Sequence, residues 1–174
     1  MSQPILLVFD APGATAAQYD AIIRDLEAAG ESAPRGRTFH AAAATADGWQ
    51  VIDVWESQAD FDRFAKTLGP LIQTHMADSR VAPKFYPVHR RIAGVAATGV
   101  KPYILAVKMT GPVAEYDTTV ARLQAEAGGV PFPGRSYTSA DSRPMAVTSW
   151  VCSNPQTTTS GSRTKCCGES SPSA

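Results

Sequence analysis

Three histidines, His40, His75 and His89, are the side chains of this sequence best suited to moving a proton near neutral pH. No two stand at i, i+4 or as His-x-His, the spacings that gather imidazoles around one metal ion, so no metal site is expected. The three cysteines, Cys152, Cys166 and Cys167, sit together at the C-terminal end. An odd number in a polar stretch makes neither a disulfide framework nor a Cys-x-x-Cys chelate. There is no G-x-G-x-x-G, no P-loop and no G-x-S-x-G, so neither a nucleotide cofactor nor a serine nucleophile is implied. No cofactor is expected. The chemistry left open is acid–base work by imidazole beside aromatic rings and a carboxylate.

Those residues need elements to hold them. Residues 4–9 form an apolar run, read as a buried strand. Thr15-x-x-Gln18 is a capping box, behind which Tyr19, Ile22, Ile23 and Leu26 share one helical face until Gly30. Residues 37–45 and 49–55 read as strands joined by Ala46-Asp47-Gly48, a hairpin signal. Ser57-x-x-Asp60 opens a second helix carrying Phe61, Phe64, Ala65 and Leu68, which Gly69-Pro70 is expected to interrupt. Residues 84–92 read as a last strand whose Pro87 suggests an edge or bulge. The order β-α-β-β-α-β is that of a split βαβ, ferredoxin-like unit.

Along the third strand, Ile52 and Val54 point one way and Trp49, Val51, Asp53 and Trp55 the other. The aliphatic pair is expected to meet the helices. The indoles and the carboxylate are expected on the opposite face, lining an interior where a small ligand binds.

The unit appears twice. Pro4–Phe9 matches Pro102–Val107, Gln18–Leu26 matches Glu115–Leu123, Gly36–Phe39 matches Gly134–Tyr137 and Val51–Trp55 matches the run ending at Trp150, at an offset of about 97 residues. The expected fold is α+β, with tandem ferredoxin-like (βαββαβ) repeats in a dimeric-α/β-barrel-type arrangement and the second repeat truncated. Residues 1–92 form a complete first repeat, 93–100 a linker, 101–152 a second repeat of βαββ only, and 153–174 a disordered tail. The tail is rich in Ser, Thr, Gly and Pro and cannot bury enough apolar area to offset its ordering entropy. With codons chosen to suit and one base added before Thr157, the sequence after Gln156 reads Asp-Tyr-Asp-Glu-Trp. That echoes Asp60-Phe61-Asp62-Arg63-Phe64 after the first Trp-bearing strand. The tail is therefore expected to be the out-of-frame product of a single-nucleotide loss, which the encoding DNA would decide.

The stretches GWQVIDVWESQADFDRFAKTLGPLI and FYPVHRRI resemble the dimeric α+β barrel superfamily, nearest its antibiotic biosynthesis monooxygenase-like members from actinobacteria. The resemblance covers residues 3–92 and, more loosely, 101–151. It implies two ferredoxin-like sheets packed face to face around a ligand. In such monooxygenases an Asn, a Trp and a Tyr or His act on a polyphenol without a cofactor. Trp55 lies on the matching strand, whereas the single asparagine, Asn154, lies beyond the last strand. The resemblance implies His40 and His89 as catalytic bases, with Trp55, Trp49, Asp53 and Tyr86 binding the ligand.

Sixteen basic residues against sixteen acidic ones give no electrostatic reason for a nucleic-acid or membrane partner. The expected partner is a small hydrophobic or aromatic molecule, and the expected location the cytoplasm. The truncated repeat leaves a strand edge that favours a homo-oligomer. Two functions fit: a small-molecule-binding barrel resembling these monooxygenases, and a non-catalytic structural or oligomerisation barrel.

Overall fold

Local signals place the first elements. The N-terminal apolar run becomes β1 (Ile5–Pro12). Thr15 caps α1 (Ala16–Ala28), accepting from the Gln18 N–H while the Gln18 side chain takes the Thr15 N–H at 2.9 Å. This reciprocal cap contributes about 1 kcal/mol. Gly30, at φ +80°, turns the chain out of the helix. β2 (Arg37–Ala44) and β3 (Gly48–Trp55) form the expected hairpin, closed by the Thr45 N–H donating to the Gly48 carbonyl at 2.9 Å. A Cβ at Gly48 would stand 2.2 Å from the Ala11 carbonyl oxygen, so glycine is what lets β1 pass so close. Ser57 caps α2 (Gln58–His75). There follow β4 (Ala82–Ala93), β5 (Tyr103–Met109), α3 (Val113–Glu126), β6 (Arg135–Asp141) and β7 (Val147–Ser153). The computed structural model describes residues 3–77, 81–93, 103–109, 111–128, 135–141 and 147–153. The linker 93–100 beyond Ala93 and the tail beyond Ser153 lie outside them.

Helix α2 differs from expectation. It runs through Gly69-Pro70 without interruption. An interior proline costs about 3 kcal/mol in isolation, but Phe61, Phe64, Leu68 and Ile72 form one stripe packed on the core, which holds both halves in line. Pro70 itself is exposed.

The strands form one antiparallel sheet in the order β2-β3-β1-β4-β6-β7-β5. Its first four strands, with α1 and α2 crossing between them, make the ferredoxin-like α+β unit. β4 serves both halves of the sheet. It pairs with β1 as far as Pro87 and with β6 from Val88 onward, with a register shift between Val88 and Arg90. The bulge suggested by Pro87 thus sits where the strand changes partners. The outermost strands, β2 and β5, approach each other. Tyr116 and Val120 of α3 pack with Ile92 of β4. No helix among the described residues is long and apolar enough to cross a membrane.

The faces of β3 are the reverse of those expected. Trp55 packs with Ile22, Leu26, Phe61 and Phe64 on the helix side, with Trp49 and Val51 beside it. Ile52 and Val54 join Leu6 and Val8 on the other face, with Phe39, Tyr86 and Val88 around them. The reason is volume. The space between helices and sheet is filled by aromatic rings: Trp55 meets Phe61 edge-on at 5.7 Å between centroids and Phe64 at 5.2 Å. The opposite face carries shorter aliphatic side chains, and they are equally buried, at 0–4 % exposed.

Candidate functional site

Between α1, α2 and the sheet lies a cavity walled by Phe9, Trp49, Leu68 and Met76, with four polar side chains on its lining: Tyr19, Arg37, His40 and Asp53. It measures about 60 Å³ as space open to the centre of a water molecule, room for a few waters. A second hollow, a groove between α2 and β4 of about 530 Å³ on the same measure, shares Phe9, Leu68, Ile72, Met76 and Val81 with it.

The polar residues are connected. His40 and Asp53 are directly opposed in the β2–β3 register, on the helix side. The His40 Nδ1 lies 2.6 Å from the Asp53 Oδ1, and the His40 Nε2 lies 2.7 Å from the Tyr19 hydroxyl. The rings of Tyr19 and His40 are nearly parallel, 8° apart. Tyr19 reaches down from α1 and also lies against Trp49, 5.3 Å between centroids. Asp53 is 2 % exposed. An ionised carboxylate only accepts hydrogen bonds, so the Nδ1 proton belongs to His40, and the direction of the hydrogen bond between Nε2 and the Tyr19 hydroxyl follows the tautomer of the ring.

Tyr19 holds its proton firmly. Its pKa is raised, first by burial and then by the nearby negative charge of Asp53, with Arg37 acting in the opposite direction. Tyr19 therefore keeps its O–H at neutral pH. A ligand hydroxyl that took its place would meet a base already oriented by a carboxylate, which also stabilises the imidazolium formed when the proton moves.

A bulge brings in Arg37. The β2–β3 register shifts between Arg37 and Phe39. Without that shift Arg37 would share a face with Phe39, which packs on the far side with Ile52 and Val54. Instead Arg37 turns to the helix side. Its guanidinium lies 5.7 Å from the centre of the Phe64 ring and donates to the Ser32 carbonyl at 2.9 Å.

Of the residues expected to form the site, His40, Asp53 and Trp49 come together. Trp55 does not line the cavity; it is 0 % exposed and belongs to the core. Tyr86 stands opposite Leu6 and packs on the far face of the sheet. His89 lies at the junction of β4 and α3. Its Nε2 is 3.0 Å from Asp117, to which Arg90 also donates at 3.0 Å. These partners hold the Asp117 carboxyl below its usual range, with the His89 hydrogen bond the largest cause. The structure therefore does not join His89 to His40. His75 is elsewhere again, 2.7 Å from Asp25, and ties α2 to α1. Among the described residues no cluster of His, Cys, Asp and Glu could hold a metal ion. Tyr19 and Arg37 complete the site. Tyr19 begins an apolar helical stripe, which marks it as core rather than as chemistry. The position of Arg37 depends on a bulge that nothing in the sequence announces.

No protein-family model matches the chain, and no curated protein sequence is similar to it. Among solved structures it resembles a candidate monooxygenase from Fusobacterium nucleatum subsp. nucleatum, with TM-score 0.62 and 10% identity over 87% of this chain and 76% of that one. An anthrone oxidase-like protein aligns at TM-score 0.47 and 11% identity over 90% of this chain and 75% of that one. The first likeness shows a shared fold and, at that identity, nothing more.

Proposed function

We propose that this chain is a small-molecule-binding α+β barrel protein of the antibiotic biosynthesis monooxygenase type, and that its ligand occupies the cavity beside His40 together with the adjoining groove between α2 and β4. The observation that carries the reading is the Tyr19–His40–Asp53 chain of hydrogen bonds, set in a wall that, Arg37 aside, is apolar. In the finer form of the proposal the ligand is an electron-rich aromatic. His40 accepts its proton, and the resulting anion gives electrons to O2 without a cofactor.

The architecture belongs to the same proposal. Residues 1–92 and 101–152 are read as two related units in one chain. In support, β5, α3, β6 and β7 repeat the order of β1, α1, β2 and β3. β4 and β6 join the two units, and β2 comes near β5, as strands closing a barrel do. The alternative, a non-catalytic oligomerisation barrel, draws on the filled face formed by Leu6, Val8, Ile52 and Val54.

Ligand titration separates the two. Trp49 and Tyr19 are cavity walls, so a bound 1-naphthol should change intrinsic fluorescence and saturate. Binding should weaken about tenfold when His40→Ala removes the acceptor, on the scale of one hydrogen bond to a reacting group. Saturable binding that ignores His40 would move the site elsewhere. No saturable binding by 1-naphthol, in chain shown to be folded, would favour the oligomerisation barrel.

A further inference from the structure

A ligand that occupies both hollows has five side chains in its way. The cavity beside His40 measures about 60 Å³ and the groove between α2 and β4 about 530 Å³, each as space open to the centre of a water molecule. Phe9, Leu68, Ile72, Met76 and Val81 line both and form the partition between them. A molecule of ordinary ligand size fits the groove as it stands, and the cavity holds only a few waters. Such a molecule meets His40 only when part of the partition moves.

Four of the five are poorly placed to move. Phe9 sits mid-strand between Val51 of β3 and Pro83 of β4, with its ring 6.1 Å from that of Phe61 between centroids. Leu68 and Ile72 lie within α2, in the stripe packed on the core. Ile72 and Val81 branch at Cβ, which leaves them few side-chain settings. Met76 differs. It is the one unbranched side chain of the five, and its three rotatable bonds and polarizable sulfur let it turn while keeping contact. It is the C-cap of α2, at φ −132° and ψ 37°, outside the helical geometry that restricts χ1. The backbone beside it is fixed. The Gln18 amide donates to the His75 carbonyl at 3.0 Å, and the His75 Nε2 lies 2.7 Å from the Asp25 Oδ2. The Met76 N–H donates to the Ile72 carbonyl at 2.8 Å. α1 thus holds this end of α2 at two points next to Met76, which leaves the side chain as the moving part.

We propose that Met76 is the specificity-determining gate of this site, closing the partition in one setting and joining cavity to groove in another, so that it selects the ligands that reach His40 by their size. This rests on the reading that the ligand occupies cavity and groove together. With the gate closed, a molecule in the groove is separated from the polar chain. With it open, a ligand hydroxyl meets the Tyr19–His40–Asp53 hydrogen bonds while the apolar body stays beneath α2.

The test compares the full chain with Met76→Ala and Met76→Phe, each checked for folding by near-ultraviolet circular dichroism, using 1-naphthol and the size-matched 1-methylnaphthalene. A gate open about a tenth of the time slows capture about tenfold, so Met76→Ala should speed stopped-flow association of 1-naphthol about tenfold. The gain should be smaller for phenol, which needs less of the opening. The unsubstituted chain should bind 1-naphthol about tenfold tighter than 1-methylnaphthalene, on the scale of one hydrogen bond. Met76→Phe puts a rigid ring in the partition and should erase that preference, because both molecules then stay in the groove. Met76→Leu, a volume-conserving swap, stands in should either variant fail to fold, and its branched end should slow association below that of the unsubstituted chain. An association rate unchanged by these substitutions, or a hydroxyl preference that persists in Met76→Phe, would overturn the gate and leave the cavity reading standing. Absence of saturable 1-naphthol binding in both the unsubstituted chain and folded Met76→Ala would bring down both readings.

Discussion

Replacing His40 by leucine should destabilise the fold by about 3 kcal/mol, and adding Asp53→Leu to that variant should restore much of the loss. The asymmetry follows from burial. The Asp53 side chain is 3 % exposed and that of His40 27 %. Among the described residues His40 is the one partner of the Asp53 carboxylate. Removing the imidazole strands a buried negative charge, whose desolvation is then uncompensated. Removing the charge as well leaves two aliphatic side chains facing each other across the β2–β3 ladder, where the surroundings are apolar. Urea denaturation of the two single variants and the double variant gives the coupling free energy directly. A His40→Leu loss below about 1 kcal/mol, or a double variant as unstable as the sum of the singles, would show that Asp53 does not depend on His40. The same cycle bears on function. A pair that holds the fold and the relay together would couple stability to the orientation of the base.

Trp55→Ala should cost about 3–5 kcal/mol, the scale of a large core truncation. Domain stabilities are about 5–15 kcal/mol, so this variant stands at the edge of unfolding. The indole is completely buried and bridges Phe61 and Phe64 of α2 to the sheet. Its removal leaves a hole at the helix–sheet contact that rigid strands cannot close. Trp55→Phe should cost far less. Phenylalanine keeps most of the ring contact, and it removes an indole N–H that is buried without a partner. Melting temperatures and near-ultraviolet circular dichroism distinguish these outcomes. Ligand titration of Trp55→Phe adds a second reading. Unchanged affinity is expected of a core residue, while a large loss would return Trp55 to the site from which the geometry removes it.

Local chemistry was sufficient to place most elements. The Thr15 and Ser57 caps, the turn at Gly48 and the helical stripe from Tyr19 to Leu26 act within a few residues of themselves, so the sequence alone determined α1, β2, β3 and the start of α2. It also marked His40, Trp49 and Asp53 as candidate site residues, on the two strands of one hairpin, without pairing them. Tertiary structure decided the rest. A strand buried on both sides, such as β3, has no solvent-facing side to mark its inner face. Asp53 imitated a lumen residue because its partner, His40, sits on another strand. α2 continues through Pro70 because packing along its whole length outweighs one local defect. Tyr19 and Arg37 reach the cavity through a helix–sheet contact and a one-residue bulge. Such placements depend on how distant segments meet, and a residue's type and spacing carry no record of that meeting.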